Sequence, residues 1–177
     1  MKPQSYFACF CFLFALPLLS CVNNLEAADV NMIFCCQADN DLYQVLSRDG
    51  HTWPRYDSAT DAVDHAPRGA ALFILADGYP DARTVVEPDL FARAKEKKLK
   101  MYVEFPESLP GFEIGTTRTI QWERGVITSD LFGSDLKPMS ILAIHDCHFV
   151  PVEARNPPIV IARVAGFDNA VYGLPDE

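Results

Sequence analysis

The chain has 177 residues, with 15 Lys and Arg against 24 Asp and Glu, giving a formal net charge of -9. A balance of that sign, with no long basic run to meet a polyanion, excludes nonspecific binding to nucleic acid or to an anionic membrane surface. Once a leader is set aside, the length suits one domain with a substantial core.

Lys2 followed by the apolar residues 6–19 has the outline of a secretory signal, too short for a comfortable membrane span. Leu18-Leu19-Ser20-Cys21 resembles the bacterial lipobox, in which the cysteine is lipidated and becomes the new N-terminus. Residues 1–21 are therefore expected to be a lipoprotein-type signal peptide, 22–29 a tether, and 30–177 a single α/β domain. The protein is expected to be exported, as an outer-membrane lipoprotein touching the membrane through its lipid alone, or as a periplasmic protein if cleavage is of the ordinary kind. Of the six cysteines, Cys9 and Cys11 leave with the leader and Cys21 carries the lipid. Cys35, Cys36 and Cys147 remain, an odd number that cannot complete a disulfide framework. Buried free thiols, or one bridge from Cys147 to Cys35 or Cys36, are both open.

Residues 30–36 read as a first strand, and Gln37-Ala38-Asp39-Asn40 as a polar turn able to cap a helix over 41–47. Residues 53–56 fit a short edge strand. Ser58-Ala59-Thr60-Asp61 then has the outline of a helix start, with an acid three residues after the cap. Residues 70–80, AALFILADGYP, form a continuous apolar run closed by an acid, a glycine, an aromatic and a proline, as a strand covered on both faces would. Pro88 opens a further helix that ends in basic residues, and residues 100–106 give a fourth strand, again ending in an acid, an aromatic and a proline. Strands alternating with helices predict parallel pairing through right-handed crossovers. After Pro106 the pattern turns to strands at 116–122, 125–128, 140–144, 150–152 and 159–164, with a last short strand near the end.

In open α/β sheets, ligands sit at the carboxyl ends of the strands. Asp77, Gly78, Tyr79 and Glu104 are thus the first ligand-binding candidates, and His145 and His148 of the cluster His145-Asp146-Cys147-His148 join them. Asp77, Glu104 and Asp146 are the candidate catalytic carboxylates, since paired acids perform glycoside hydrolysis. On a strand, His145 with Cys147 or Asp146 with His148 would share a face, but no third ligand follows at metal-binding spacing, so no metal and no cofactor are expected. Tyr79, Trp53 and Trp122 could stack on a sugar ring or pack in the core. No glycine-rich phosphate loop follows the first strand, and neither a Gly-x-Ser-x-Gly nor a Gly-x-Cys-x-Gly elbow is present.

Residues 71–80, and 162–174 (ARVAGFDNAVYGL), resemble the N-terminal module of large secreted bacterial proteins linked to glycoside hydrolysis, which has a class I glutamine amidotransferase-like α/β fold. The resemblance implies a flavodoxin-like or amidotransferase-like, mostly parallel sheet flanked by helices, with a β-rich C-terminal half. Asp77-Gly78-Tyr79 stands where that fold carries its cysteine, so amidotransferase activity is not implied. It implies instead a non-catalytic or ligand-binding accessory module, with a carbohydrate ligand and a downstream catalytic module or partner hydrolase. The alternatives are a glycosidase-like hydrolase using the strand-end carboxylates and a membrane-displayed interaction protein.

Overall fold

The computed structural model describes residues 31–48 and 50–175, with side chains as far as 171. The signal segment, Cys21, the tether 22–29 and the last two residues lie outside the described residues.

The first half alternates strand and helix: β1 (Met32–Cys35), α1 (Asp41–Leu46), β2 (Arg55–Tyr56), α2 (Ala59–His65), β3 (Ala71–Ile74), α3 (Pro88–Glu96) and β4 (Lys100–Val103). The four strands form one parallel sheet in the order β2-β1-β3-β4, with Ile33, Leu72 and Met101 in one row and Phe34, Phe73 and Tyr102 in the next. Strand alternation divides these rows between two cores. Ile33, Leu72 and Ile74 pack with Ala62 and Val63 of α2 and Leu90 of α3, whereas Phe34, Cys36 and Leu75 pack with Leu42 and Tyr43 of α1 and with Trp53. Phe34 is fully buried on that second side and its ring stacks on Phe73 at 5.1 Å.

Local signals set the helix ends. The Asn40 side chain accepts from Tyr43 N at the start of α1, and Ser58 Oγ accepts from Asp61 N at the start of α2 while donating to the Asp61 carboxylate. Pro88 sits in the first turn of α3, where its missing N–H costs nothing. At the other end of α2, the Lys97 ammonium donates to the carbonyls of Val63, Asp64 and Ala66 and so satisfies groups that the helix leaves bare. An ion pair from Arg93 to Asp64 adds to this clasp between α2 and α3.

The second half overturns the expected flavodoxin-like or amidotransferase-like fold. The chain is mostly β, and its parallel sheet stops at four strands. It continues as β5 (Arg118–Thr119), β6 (Arg124–Ile127), β7 (Ile141–Leu142), β8 (His148–Phe149), β9 (Ile159–Gly166) and β10 (Ala170–Pro175), all paired antiparallel. The reason is local: a parallel neighbour needs a long crossover, usually helical, and among the described residues no helix forms after β4. One antiparallel sheet runs β10-β9-β6-β7, and β5 pairs with β8. The tip of the β9–β10 hairpin folds back on β7, with Ile141 N donating to Asp168 O at 2.9 Å and Ala170 N to Met139 O at 2.8 Å. Gly166 makes that tip: its φ is +140°, and a Cβ there would lie 2.0 Å from Asn169 O.

Glu123 ties this half together. Only 3% exposed, it accepts from Gln121 N and Trp122 N through one oxygen and from Arg163 Nε of β9 through the other. These bonds, the one from Gln121 N foremost, hold its carboxyl down to about 2 against an ordinary 4.5. A depressed carboxyl stabilises the fold above its unfolded pKa, and that stabilisation is lost as the pH falls toward 2. Glu123→Gln is expected to lower the urea midpoint at pH 7, and the gap to the unsubstituted chain is expected to narrow between pH 4.5 and pH 2. A gap unchanged by pH would show that the carboxylate charge is not what holds the turn.

Candidate functional site

A cleft of about 700 Å³ opens at the carboxyl edge of the parallel sheet, between that edge and the segment around β8. Its position follows from the strand order. β1 leads outward to β2, β3 leads the other way to β4, and α1 and α3 leave on opposite faces, so a crevice forms where the connections diverge.

Asp77 sits in the mouth of that crevice with its acceptors committed. Oδ2 accepts from Gln37 N at 2.8 Å and Oδ1 from Asn40 Nδ2 at 2.9 Å. Asn40 meanwhile caps α1, so one carboxylate fixes the β1–α1 turn and, through it, the entry of the helix. The Gln37 N–H, which a phosphate or carboxylate ligand would otherwise seek, is already occupied by a negative group. Gly78 serves the turn: a Cβ on it would lie 2.9 Å from the Ala82 Cβ, too close for the Ala82 N–H to reach Gly78 O at its present 2.7 Å without a shift.

Glu104, the residue after β4, reaches back so that Oε2 accepts from Ala76 N at 2.9 Å, while Oε1 has no hydrogen-bond partner among the described residues. Phe105 follows in the left-handed region at φ +47°, a conformation disfavoured for a bulky side chain, and its buried ring meets Tyr79 edge-on at 5.1 Å. The Tyr79 hydroxyl accepts from His148 N at 2.6 Å and donates to His148 O at 3.3 Å. One phenol thereby joins the two halves of the chain across the cleft. Arg83 makes a second tie, donating to Gly115 O and Thr117 Oγ1.

Of the candidates read from sequence, Asp77, Tyr79, Glu104 and His148 line this cleft. Gly78 shapes its rim without lining it, and His145 and Asp146 are exposed and stand outside it. Asp77, Glu104 and Asp146 are thus not gathered at one point. The cluster His145-Asp146-Cys147-His148 is not one strand: β8 begins at His148, and Asp146 adopts φ +49°, so face alternation does not govern its side chains. No group of three His, Cys, Asp or Glu is placed to hold a metal ion among the described residues. Trp53 is half-buried, its Nε1 donating to Leu46 O, whereas Trp122 is 74% exposed and away from the cleft.

The thiols near the cleft are poor nucleophiles or untethered. Burial, seconded by the charge of Asp77, pushes Cys35 up to about 11 and Cys36 up to about 12. Cys147, on the cleft wall, donates to His145 O, and Cys35, Cys36 and Cys147, the cysteines among the described residues, are free, with no bridge between them. Sequence reasoning missed Gln37, Phe105 and Phe149 as cleft residues; Asn40 carried a signal, as a capping residue at a strand-to-helix turn, but the others are brought in by long-range contacts.

Protein-family models, curated proteins and solved structures give no match to this chain.

Asp77→Ala is expected to leave Gln37 N and Asn40 Nδ2 without their acceptor. At a site open to water that costs about 1 kcal/mol of stability, read as a lower urea midpoint. Amide exchange at 37–44 is expected to quicken before the rest of the parallel sheet. Unchanged exchange there would remove Asp77 from this role.

Proposed function

We propose that this chain is a non-catalytic, carbohydrate-binding accessory module of an exported carbohydrate-processing system. The observation that carries the reading is the composition of the cleft. Asp39, Asp41, Asp77 and Glu104 contribute carboxylates, Tyr79, Phe105 and Phe149 contribute rings, and no Lys or Arg is among the lining residues. Such a surface suits a neutral polyol, whose hydroxyls donate to carboxylate oxygens and whose C–H faces lie against aromatic rings, and it disfavours phosphorylated or acidic ligands.

Chemistry at the site favours binding over turnover. Asp77 has both oxygens engaged in holding a turn, the nearby Cys35 and Cys36 thiols are held protonated, and Glu104, held in place through Ala76 N on one oxygen, keeps the other without a partner among the described residues. Titration calorimetry with neutral plant-type oligosaccharides is expected to show binding that Glu104→Gln weakens about tenfold, the loss expected for one charge-assisted hydrogen bond. No reducing sugar is expected to accumulate. Sugar release abolished by Glu104→Gln would instead establish a hydrolase, and binding of oligogalacturonate as tight as that of a neutral chain would contradict the charge argument.

Export is part of the proposal, with Cys21 as the lipid attachment point and the membrane contacted through that lipid. Among the described residues no helix is long and apolar enough to cross a membrane. Labelled palmitate is expected to enter the unsubstituted chain and not Cys21→Ala; equal labelling of both would refute the anchor.

A further inference from the structure

The parallel sheet is unfinished at one side. β4 is its terminal strand, and no strand among the described residues pairs with residues 100–103 on the side away from β3. The face it shares with Phe34 and Phe73 grows steadily more open along the row: Phe34 is fully buried, Phe73 half-buried and Tyr102 46% exposed. In a parallel sheet both faces are normally covered. Here α1 covers β1, and among the described residues no helix follows β4 to cover the far end of the aromatic row.

The residues along this edge are complementary to themselves. Pair β4 with a second β4 running the opposite way, about a twofold axis at Tyr102. Residue 100 then stands opposite 104, 101 opposite 103, and 102 opposite 102. Lys100, exposed and in no ion pair among the described residues, faces Glu104, whose Oε1 is without a partner among them. Met101 faces Val103, and both already sit at the margin of the core beneath α2 and α3. Tyr102 faces Tyr102, which continues the row Phe34–Phe73–Tyr102 into the second sheet. Opposite charges and aromatic pairs directly across an antiparallel ladder are the stabilising combinations, and like charges the destabilising ones.

We propose that the β4 edge is the surface through which two copies of this chain associate, joining their four-stranded sheets into one continuous sheet about a twofold axis. A lysine on an edge strand ordinarily blunts it against pairing. In this register the same lysine meets a carboxylate, so it admits a second copy and disfavours strands lacking an acid at that place. The pairing is isologous, each residue meeting its counterpart, and it closes at two copies. Each chain carries a formal charge of -9, so association works against a long-range repulsion that physiological salt screens within about 8 Å. This inference draws on Glu104 Oε1, the oxygen the cleft also offers to a ligand, so a second copy and a ligand compete for it, and association is therefore read with no sugar present.

Sedimentation analysis of the chain as recovered from cells, at physiological salt, is expected to show a monomer–dimer equilibrium. Lys100→Glu places two like-charged pairs in the ladder and is expected to weaken association at least about tenfold. The swap Lys100→Glu with Glu104→Lys is expected to restore it to within about threefold. Hydrogen exchange on the unsubstituted chain, which needs no variant, is expected to show protection of the Met101 and Val103 amides that rises with concentration, since the amides of Lys100 and Glu104 already donate to Ala70 O and Ile74 O. A chain that stays monomeric up to about 100 µM, a dimer indifferent to Lys100→Glu, or concentration-dependent protection confined to another surface would each overturn the proposal.

Discussion

The carboxylate of Asp77 is the interaction on which the working end of this molecule depends. It lies where two neighbouring parallel strands send their connections in opposite directions, a place that opens a crevice in any sheet of this order. By accepting from Gln37 N and Asn40 Nδ2 it sets a fixed negative charge in the mouth of that crevice and holds the first turn of α1. The remaining features of the cleft are consequences of this arrangement. Anions are kept away from the backbone N–H they would seek, and the burial that shields the apolar strand ends, together with the same charge, keeps Cys35 and Cys36 protonated.

The other wall comes from a different kind of structure. Tyr79 and Arg83, both in the connection after β3, hold the antiparallel half through backbone groups of His148 and Gly115. To these polar ties across the cleft the Tyr79 and His148 rings add an edge-on contact at 6.2 Å. The antiparallel half has its own anchor in Glu123, whose buried carboxylate fixes the turn before β6 to Arg163 of β9.

The first half was legible from sequence because its signals are local. An apolar run at 71–74, a capping serine three residues before Asp61 and a proline at the start of α3 each act within one turn or strand, and each stands where the pattern put it. The second half was legible only as β. A flavodoxin-like, mostly parallel fold was the wrong extrapolation from a rhythm that the chain abandons at Pro106. The short strands there are set by partners far away in sequence: β8 lies at His148–Phe149, and residues 150–152, which alternate as a strand would, make only the bridge of Val152 with Ile114. The site was legible in the same uneven way. Acids at strand ends marked Asp77 and Glu104, but the meeting of Tyr79 with His148, 69 residues apart, left no trace in spacing or periodicity.

On the proposed reading the cleft offers a ligand carboxylates and rings, with Glu104 Oε1 among the acceptors that have no partner among the described residues. The most direct test is residue-resolved NMR during titration with a neutral oligosaccharide. The account predicts saturable shifts confined to amides around the cleft, those of Gln37, Ala76, Glu104 and His148 among them, with no change in the sugar over time. Shifts confined to another surface, or new reducing ends appearing in the sugar signals, would contradict it.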